Sequence, residues 1–118
     1  MADTVSWNIQ LSVRDGQQDK VHTLMNHMVA ATERESGTQR YEWFLSADGK
    51  TCHINERYED SEAVLIHLSN FGATFAERFL ACFEPTALWV YGDPSPEARS
   101  ALDGLGAVYL GWLGGFNR

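Results

Sequence analysis

Along residues 5–13, VSWNIQLSV, every second side chain is apolar: Val5, Trp7, Ile9, Leu11 and Val13. Ser6, Asn8, Gln10 and Ser12 stand between them, and Arg14 follows. Successive side chains of a strand point to opposite faces, so the alternation predicts a strand with one apolar and one wholly polar face. DGQQDK then breaks the pattern. Val21, Leu24, Met25, Met28 and Val29 recur at three- and four-residue intervals, which predicts an amphipathic helix over about residues 17–35. His22 and His27 lie off that stripe, toward solvent, and Gly37 closes the helix.

RYEWFLS and TCHINERYE flank Ala47-Asp48-Gly49-Lys50, and the Asp-Gly pair predicts a hairpin. Asp60 or Ser61 can cap a second helix, which Gly72 is expected to interrupt. Thr74 and Glu77, three apart, have the capping-box pattern that would restart a helix through FAERFLACF. Pro85 should end it, and TALWVYG reads as a fourth strand. SPEARSAL predicts a short helix with Pro96 near its start, ahead of the tail GLGAVYLGWLGGFNR. The order β-α-β-β-α-β plus an appended helix and tail is the α+β, ferredoxin-like arrangement: an antiparallel sheet, helices on one face, the first and third strands central. Residues 1–118 are enough for one core, so a single domain is expected, with its core at 5–92 and a C-terminal extension at 93–118.

Sixteen acidic against nine basic side chains give a net charge of −7, which disfavours nucleic acid and anionic membrane surfaces as partners. The start has no basic segment followed by an apolar run, and AVYLGWLGGF is too short to span a bilayer, so a cytoplasmic location is expected. Cys52 and Cys82 lack CxxC spacing and are expected to be reduced and buried. The histidines at 22, 27, 53 and 67 make no metal motif, and no glycine-rich strand-to-helix loop suits a dinucleotide, so neither metal nor cofactor is expected.

Two polar residues break the apolar pattern. In the third strand His53, Asn55 and Arg57 form one face and Cys52, Ile54, Glu56 and Tyr58 the other. Matching polar face to polar face turns Glu56 and Tyr58 toward the helices, and Tyr41, Trp43 and Leu45 join them by the same alternation. On the second helix Val64, Leu68, Phe71, Phe75 and Cys82 lie near one line, with His67 about 60° away on its flank. Glu56 and His67 can therefore share the space between sheet and helix, where a carboxylate is costly unless paired. Glu56 could instead pair with Arg57, Arg78 or a helix end.

The run from Tyr41 to Phe75 resembles the antibiotic-biosynthesis monooxygenase domain, also found in quinol monooxygenases. The matching pieces are Tyr41, Glu56-Arg57-Tyr58, Asp60, Ala63, His67-Leu68 and Phe71. The likeness covers roughly residues 5–92. It implies a dimeric α+β barrel, with Ser6, Asn8, Gln10, His53 and Asn55 lining the space between two sheets. Some members of that family oxidise phenols or quinols with O₂ and no cofactor; others are isomerases or have no known activity. The strand-closing aromatic, often Trp in the family, is Tyr58 here, and a second helix histidine is missing. Haem-degrading relatives need an axial histidine farther along the helix, where this chain has Glu77, so haem is not expected.

The expected function is a cofactor-independent monooxygenase acting on a small hydroxylated aromatic or quinol with O₂. His67 would be the base and Glu56 its orienting or charge-stabilising partner. Tyr41, Tyr58 and Asn70 would bind substrate oxygens, and Trp43, Phe71 and Phe75 would form aromatic walls. A non-catalytic small-ligand-binding dimer, or an isomerase or lyase, are the alternatives. A homodimer is expected because the central strands carry uncharged polar residues on their second face, while Ile66 and the apolar tail need cover. The tail should pack, on its own subunit or across the dimer.

Overall fold

In the computed structural model, which describes residues 3–118, strand β1 (Val5–Val13) buries every odd-numbered side chain and half-buries the even ones. A 3₁₀ turn at Gln18–Lys20 delays the first helix, so α1 spans Val21–Glu33 rather than 17–35. Val21, Leu24 and Met28 form its buried stripe. It ends early because the chain tightens: Arg34 N–H donates to Ala31 O at 3.2 Å and Glu35 N–H to Thr32 O at 3.0 Å. Gly37 is not among the left-handed glycines. A Cβ built there would lie 2.6 Å from the Ala63 Cβ, so glycine is required for the close approach of this loop to the second helix.

Strands β2 (Thr38–Leu45) and β3 (Thr51–Tyr58) form the expected hairpin, with Gly49 at φ +72° and the Asp48 carboxylate accepting from the Ser46 hydroxyl and the Lys50 N–H. Asp60 caps α2 (Ser61–Thr74), its side chain accepting from Ala63 N–H at 2.9 Å. That helix runs through Gly72, since a glycine in an exposed turn costs about 1 kcal/mol against Ala and cannot break a packed helix alone. The break falls at Phe75, and α3 (Ala76–Cys82) begins without a side-chain cap. The Thr74–Glu77 capping box therefore does not form: Thr74 is the last residue of α2, and backbone bonds from Phe75 N–H to Phe71 O and from Phe79 N–H to Phe75 O carry the chain across the joint.

Strand β4 (Phe83–Tyr91) begins earlier than the pattern TALWVYG predicts and contains Pro85. Only Leu88–Tyr91 of β4 has a neighbour on its far side, and Pro85 sits by a bulge where Gln10 faces Ala87 and Leu11 faces Pro85. Its missing N–H thus disrupts no ladder bond to a second strand. Helix α4 (Pro96–Asp103), capped by Ser95, fully buries Ala98 and Leu102. It acts as the crossover for β5 (Ala107–Leu110), which lies parallel to β4.

The result is an α+β, ferredoxin-like fold with a five-stranded mixed sheet in the order β2-β3-β1-β4-β5. The inward faces of β1, β3 and β4 pack against α1, α2 and α3 in one core. On the sheet's other face Asn8 Nδ2–H donates to Asn55 Oδ1 at 2.7 Å, and the flanks expose Phe44, Trp89, Tyr91, Val108 and Leu110. Beyond β5 the tail leaves its large apolar side chains open among the described residues: Trp112, Leu113 and Phe116 are 76, 99 and 77% exposed. Cys52 and Cys82 are free and buried, the Cys52 thiol pushed up to about 12 by burial. Among the described residues no helix is long and apolar enough to cross a membrane.

Candidate active site

The sheet register builds the site. Trp7 and Tyr41 are the cross-strand partners of Glu56 from either side, so Trp7, Glu56 and Tyr41 form one row on the helix-covered face. Helix α2 places His67 against that row, its ring centroid 5.6 Å from Tyr41, 5.1 Å from Tyr58 and 6.5 Å from Trp7. The buried residues of α2 are Ala63, Val64 and His67, with Leu68 and Phe71 half-buried. The stripe is therefore rolled toward His67, which lies within it rather than on its flank. At this roll Ala63 packs directly on Gly37.

His67 lies between two carboxylates. Its Nδ1 is 2.8 Å from Glu35 Oε1 and its Nε2 is 3.4 Å from Glu56 Oε1. The Thr38 hydroxyl and the Asn70 amide also donate to Glu35, at 3.0 Å each. An ionised carboxylate only accepts, so Nδ1 carries the proton in the Glu35 bond. Burial acts to raise the Glu35 carboxyl, but bonds from His67, Asn70 and Thr38 and the field of His67 hold it below its ordinary value. Burial opposes charge on His67, yet the Glu35 bond and the fields of Glu56 and Glu35 lift the imidazole above 6.5. Glu56 is pushed up by burial, against the opposing influence of His67, Tyr58 and Trp7. The Tyr58 hydroxyl donates to Glu56 Oε1 at 2.6 Å. Burial and the field of Glu56 push Tyr41 and Tyr58 far above 10, so both remain hydrogen-bond donors.

This cluster forms the base of a cavity of about 380 Å³ between sheet and helices. Of the residues singled out in the sequence, Glu56, His67, Tyr41 and Phe71 line it. Trp43, Tyr58, Asn70 and Phe75 do not. Trp43 lines a second cavity of about 110 Å³ beside Val21 and Cys52. Tyr58 is fully buried behind Glu56, and Asn70 is exposed and bonds Glu35 instead of facing the cavity. Phe75 stands at the helix joint under the Arg78 guanidinium. Neither Arg57 nor Arg78 pairs with Glu56: Arg78 bonds His27, and the buried Arg57 Nε has no partner among the described residues.

Glu35 is the site residue that periodicity missed. It lies outside the regular elements, 32 positions from His67. One signal pointed to it: an acidic residue just past a helix C-terminus faces the negative end of the dipole, and so calls for a cationic partner. Among the described residues no group of three or more His, Cys, Asp or Glu side chains is arranged to hold a metal ion.

The chain is thus an α+β, ferredoxin-like sheet roofed by helices over an apolar cavity, with a buried carboxylate–imidazole cluster at the cavity's base. The profile of the antibiotic biosynthesis monooxygenase family matches residues 4–84, and the chain belongs to that family. No curated protein sequence matches it. Among solved structures, MupZ from Pseudomonas fluorescens is similar over 100% of this chain and 91% of its own, with 17% identity and a TM-score of 0.85. SnoaB, a cofactor-independent oxygenase from Streptomyces nogalater, is similar over 80% of this chain and 96% of its own, at 17% identity and a TM-score of 0.67. Rv0793 from Mycobacterium tuberculosis aligns over 78% and 96%, at 23% identity and a TM-score of 0.61. MupZ is thus similar through the region of α4 and β5 as well.

Proposed function

We propose that this chain is a cofactor-independent monooxygenase that oxidises a small hydroxylated aromatic or quinol with O₂. The observation that carries the reading is a titratable Glu56–His67 pair at the closed end of an apolar cavity, with Glu35 fixing the far nitrogen of the imidazole. The family and the fold shared with SnoaB support it. O₂ reacts sluggishly with closed-shell molecules, but an electron-rich phenolate can pass it one electron directly. The protein then has to remove the phenolic proton, hold the anion and exclude water. One oxygen atom ends in the product as a carbonyl oxygen and the other leaves as water, the substrate itself supplying the four electrons and both hydrogens as it becomes a quinone.

His67 is the proton acceptor through Nε2, with Glu56 beside that nitrogen sharing the proton. Glu35 stabilises the imidazolium that forms. Tyr41 donates to the substrate oxygen and Phe71 walls the ring. Tyr58 sets Glu56, and Asn70 sets Glu35. Trp43 and Phe75 support the surrounding aromatic packing. The working form is a homodimer in which the open sheet faces cover one another.

Oxygen uptake with a panel of quinols and hydroxylated polycycles, after exhaustive chelation, tests the reading. His67→Ala should lower the rate by ~10²–10⁴-fold, the usual loss for a general base. His22→Ala, at an exposed position, should not. Equal rates in all three proteins would remove His67 from the mechanism. Loss of turnover on chelation would end the cofactor-independent reading. Undiminished turnover without O₂ would point to an isomerase or lyase, and ligand binding without any turnover to a binding module.

A further inference from the structure

The cavity's polarity is concentrated at one end. Its lining follows the strands from the Trp7–Glu56 row, past Ile9, Ile54 and Leu88, to Pro85, the partner of Leu11. Leu11 lies four positions along from Trp7, which at ~3.3 Å per residue makes the path about 13 Å long. The Glu56 and His67 end is closed, 6 and 5% exposed, whereas Leu80, Pro85 and Leu105 at the other end are open to solvent. Apart from the Trp7 indole, the polar side chains of the lining are Tyr41, Glu56 and His67, and no Lys or Arg is among them. Glu35 and Glu56 already flank the one imidazole.

We infer that the pocket takes an uncharged, elongated aromatic with a single hydroxyl head seated at Glu56 and His67, and discriminates against anions and against a second polar group along its apolar length. The inference rests on the proposed oxygenase only in taking that end as the reactive one, and within that reading it narrows the substrate from quinols to monohydroxy aromatics. A carboxylate head would add negative charge beside two carboxyl groups that already share one imidazole, with no cation in the lining to offset it. A second hydroxyl one side-chain row away, ~7 Å from the head, would face Ile9, Ile54 and Leu88, where it loses water and finds no partner. The head itself meets the His67 imidazole and the Glu56 carboxyl as hydrogen-bond partners. The volume of about 380 Å³ lies at the small end of ligand pockets, which suits two or three fused rings.

Anaerobic binding to the wild-type protein near neutral pH tests this with four probes: 2-naphthol, naphthalene, 2-naphthoate and 2,7-dihydroxynaphthalene. 2-Naphthol should bind at least ~10-fold more tightly than each of the others, the scale of one unsatisfied buried polar group or lost hydrogen bond. It should also shift the His67 ring resonances more than naphthalene does. Equal affinity for 2-naphthoate or the diol, an unmoved His67 signal, or no binding by any probe would each overturn the inference. Oxygen uptake across the panel of hydroxylated polycycles, measured separately, bears on the oxygenase reading alone: tight binding with no uptake from any of them would end that reading and leave the ligand class standing.

Discussion

Replacing Glu35 by Gln removes a charge while keeping the shape that Thr38, His67 and Asn70 pack against. In the wild type the Glu35–His67 contact is 2.8 Å long with both side chains less than a tenth exposed. Hydrogen bonds to a charged group contribute ~1.5–3 kcal/mol, so a loss of that size is expected. Its pH dependence follows from the two shifts. Glu35, held below its ordinary 4.5, contributes stability above about pH 4.5 and loses it as the pH falls through its lowered value. His67, held above 6.5, contributes in full below pH 6.5 and loses it as the pH rises through its folded-state value. The pair is therefore complete between these limits. Every pKa unit by which Glu35 lifts His67 adds about 1.4 kcal/mol there that vanishes in alkali. Urea denaturation of wild type and Glu35→Gln near pH 6 and again near pH 9, with an NMR titration of His67, measures both quantities. The variant should show its larger deficit near pH 6 and a His67 pKa shifted down. An equal deficit at both pH values with an unmoved His67 titration would refute this account of the pair.

Gly37→Ala should lower stability by ~1–3 kcal/mol by thermal or chemical denaturation, because its Cβ would meet Ala63 at 2.6 Å; full wild-type stability would show that the loop yields freely. Tyr58→Phe removes the 2.6 Å donor to Glu56 and should cost ~1–3 kcal/mol, with the deficit shrinking at low pH as Glu56 protonates; a pH-independent loss would assign the effect to packing alone. Sedimentation at micromolar concentration should give a dimeric mass, and Trp89→Glu, placing a charge on the open sheet face, should shift it toward monomer; a monomeric wild type would remove the proposed dimer. Deleting residues 111–118 should weaken the dimer if the exposed Trp112, Leu113 and Phe116 pack across it, and an unchanged mass state and melting temperature would place them outside the interface.

Features governed by a few adjacent residues were legible in the sequence. The alternation of β1 predicts its buried face residue by residue, because a pleated strand has only two sides. The Asp48-Gly49 turn, the Asp60 cap and the Ser95–Pro96 start of α4 depend on local backbone geometry and formed as expected. The inward turn of Glu56 and Tyr58 followed by pairing polar face to polar face. Only tertiary structure decided what depends on distant partners. Gly72 stays helical because packing outweighs its small intrinsic penalty, and Pro85 fits inside β4 because that half of the strand lacks a second neighbour. The tail's AVYL becomes a parallel strand only because α4 returns the chain beside β4. His67 lies within the buried stripe of its helix rather than on the flank, because which side of α2 faces the sheet is decided by the packing of distant segments, the Gly37–Ala63 approach among them, and not by its own periodicity. Glu35 joined it from 32 residues away, through a turn that no hydrophobic pattern records. Periodicity marks which side chains leave water, but where a buried charge finds its counter-charge is decided by three-dimensional packing.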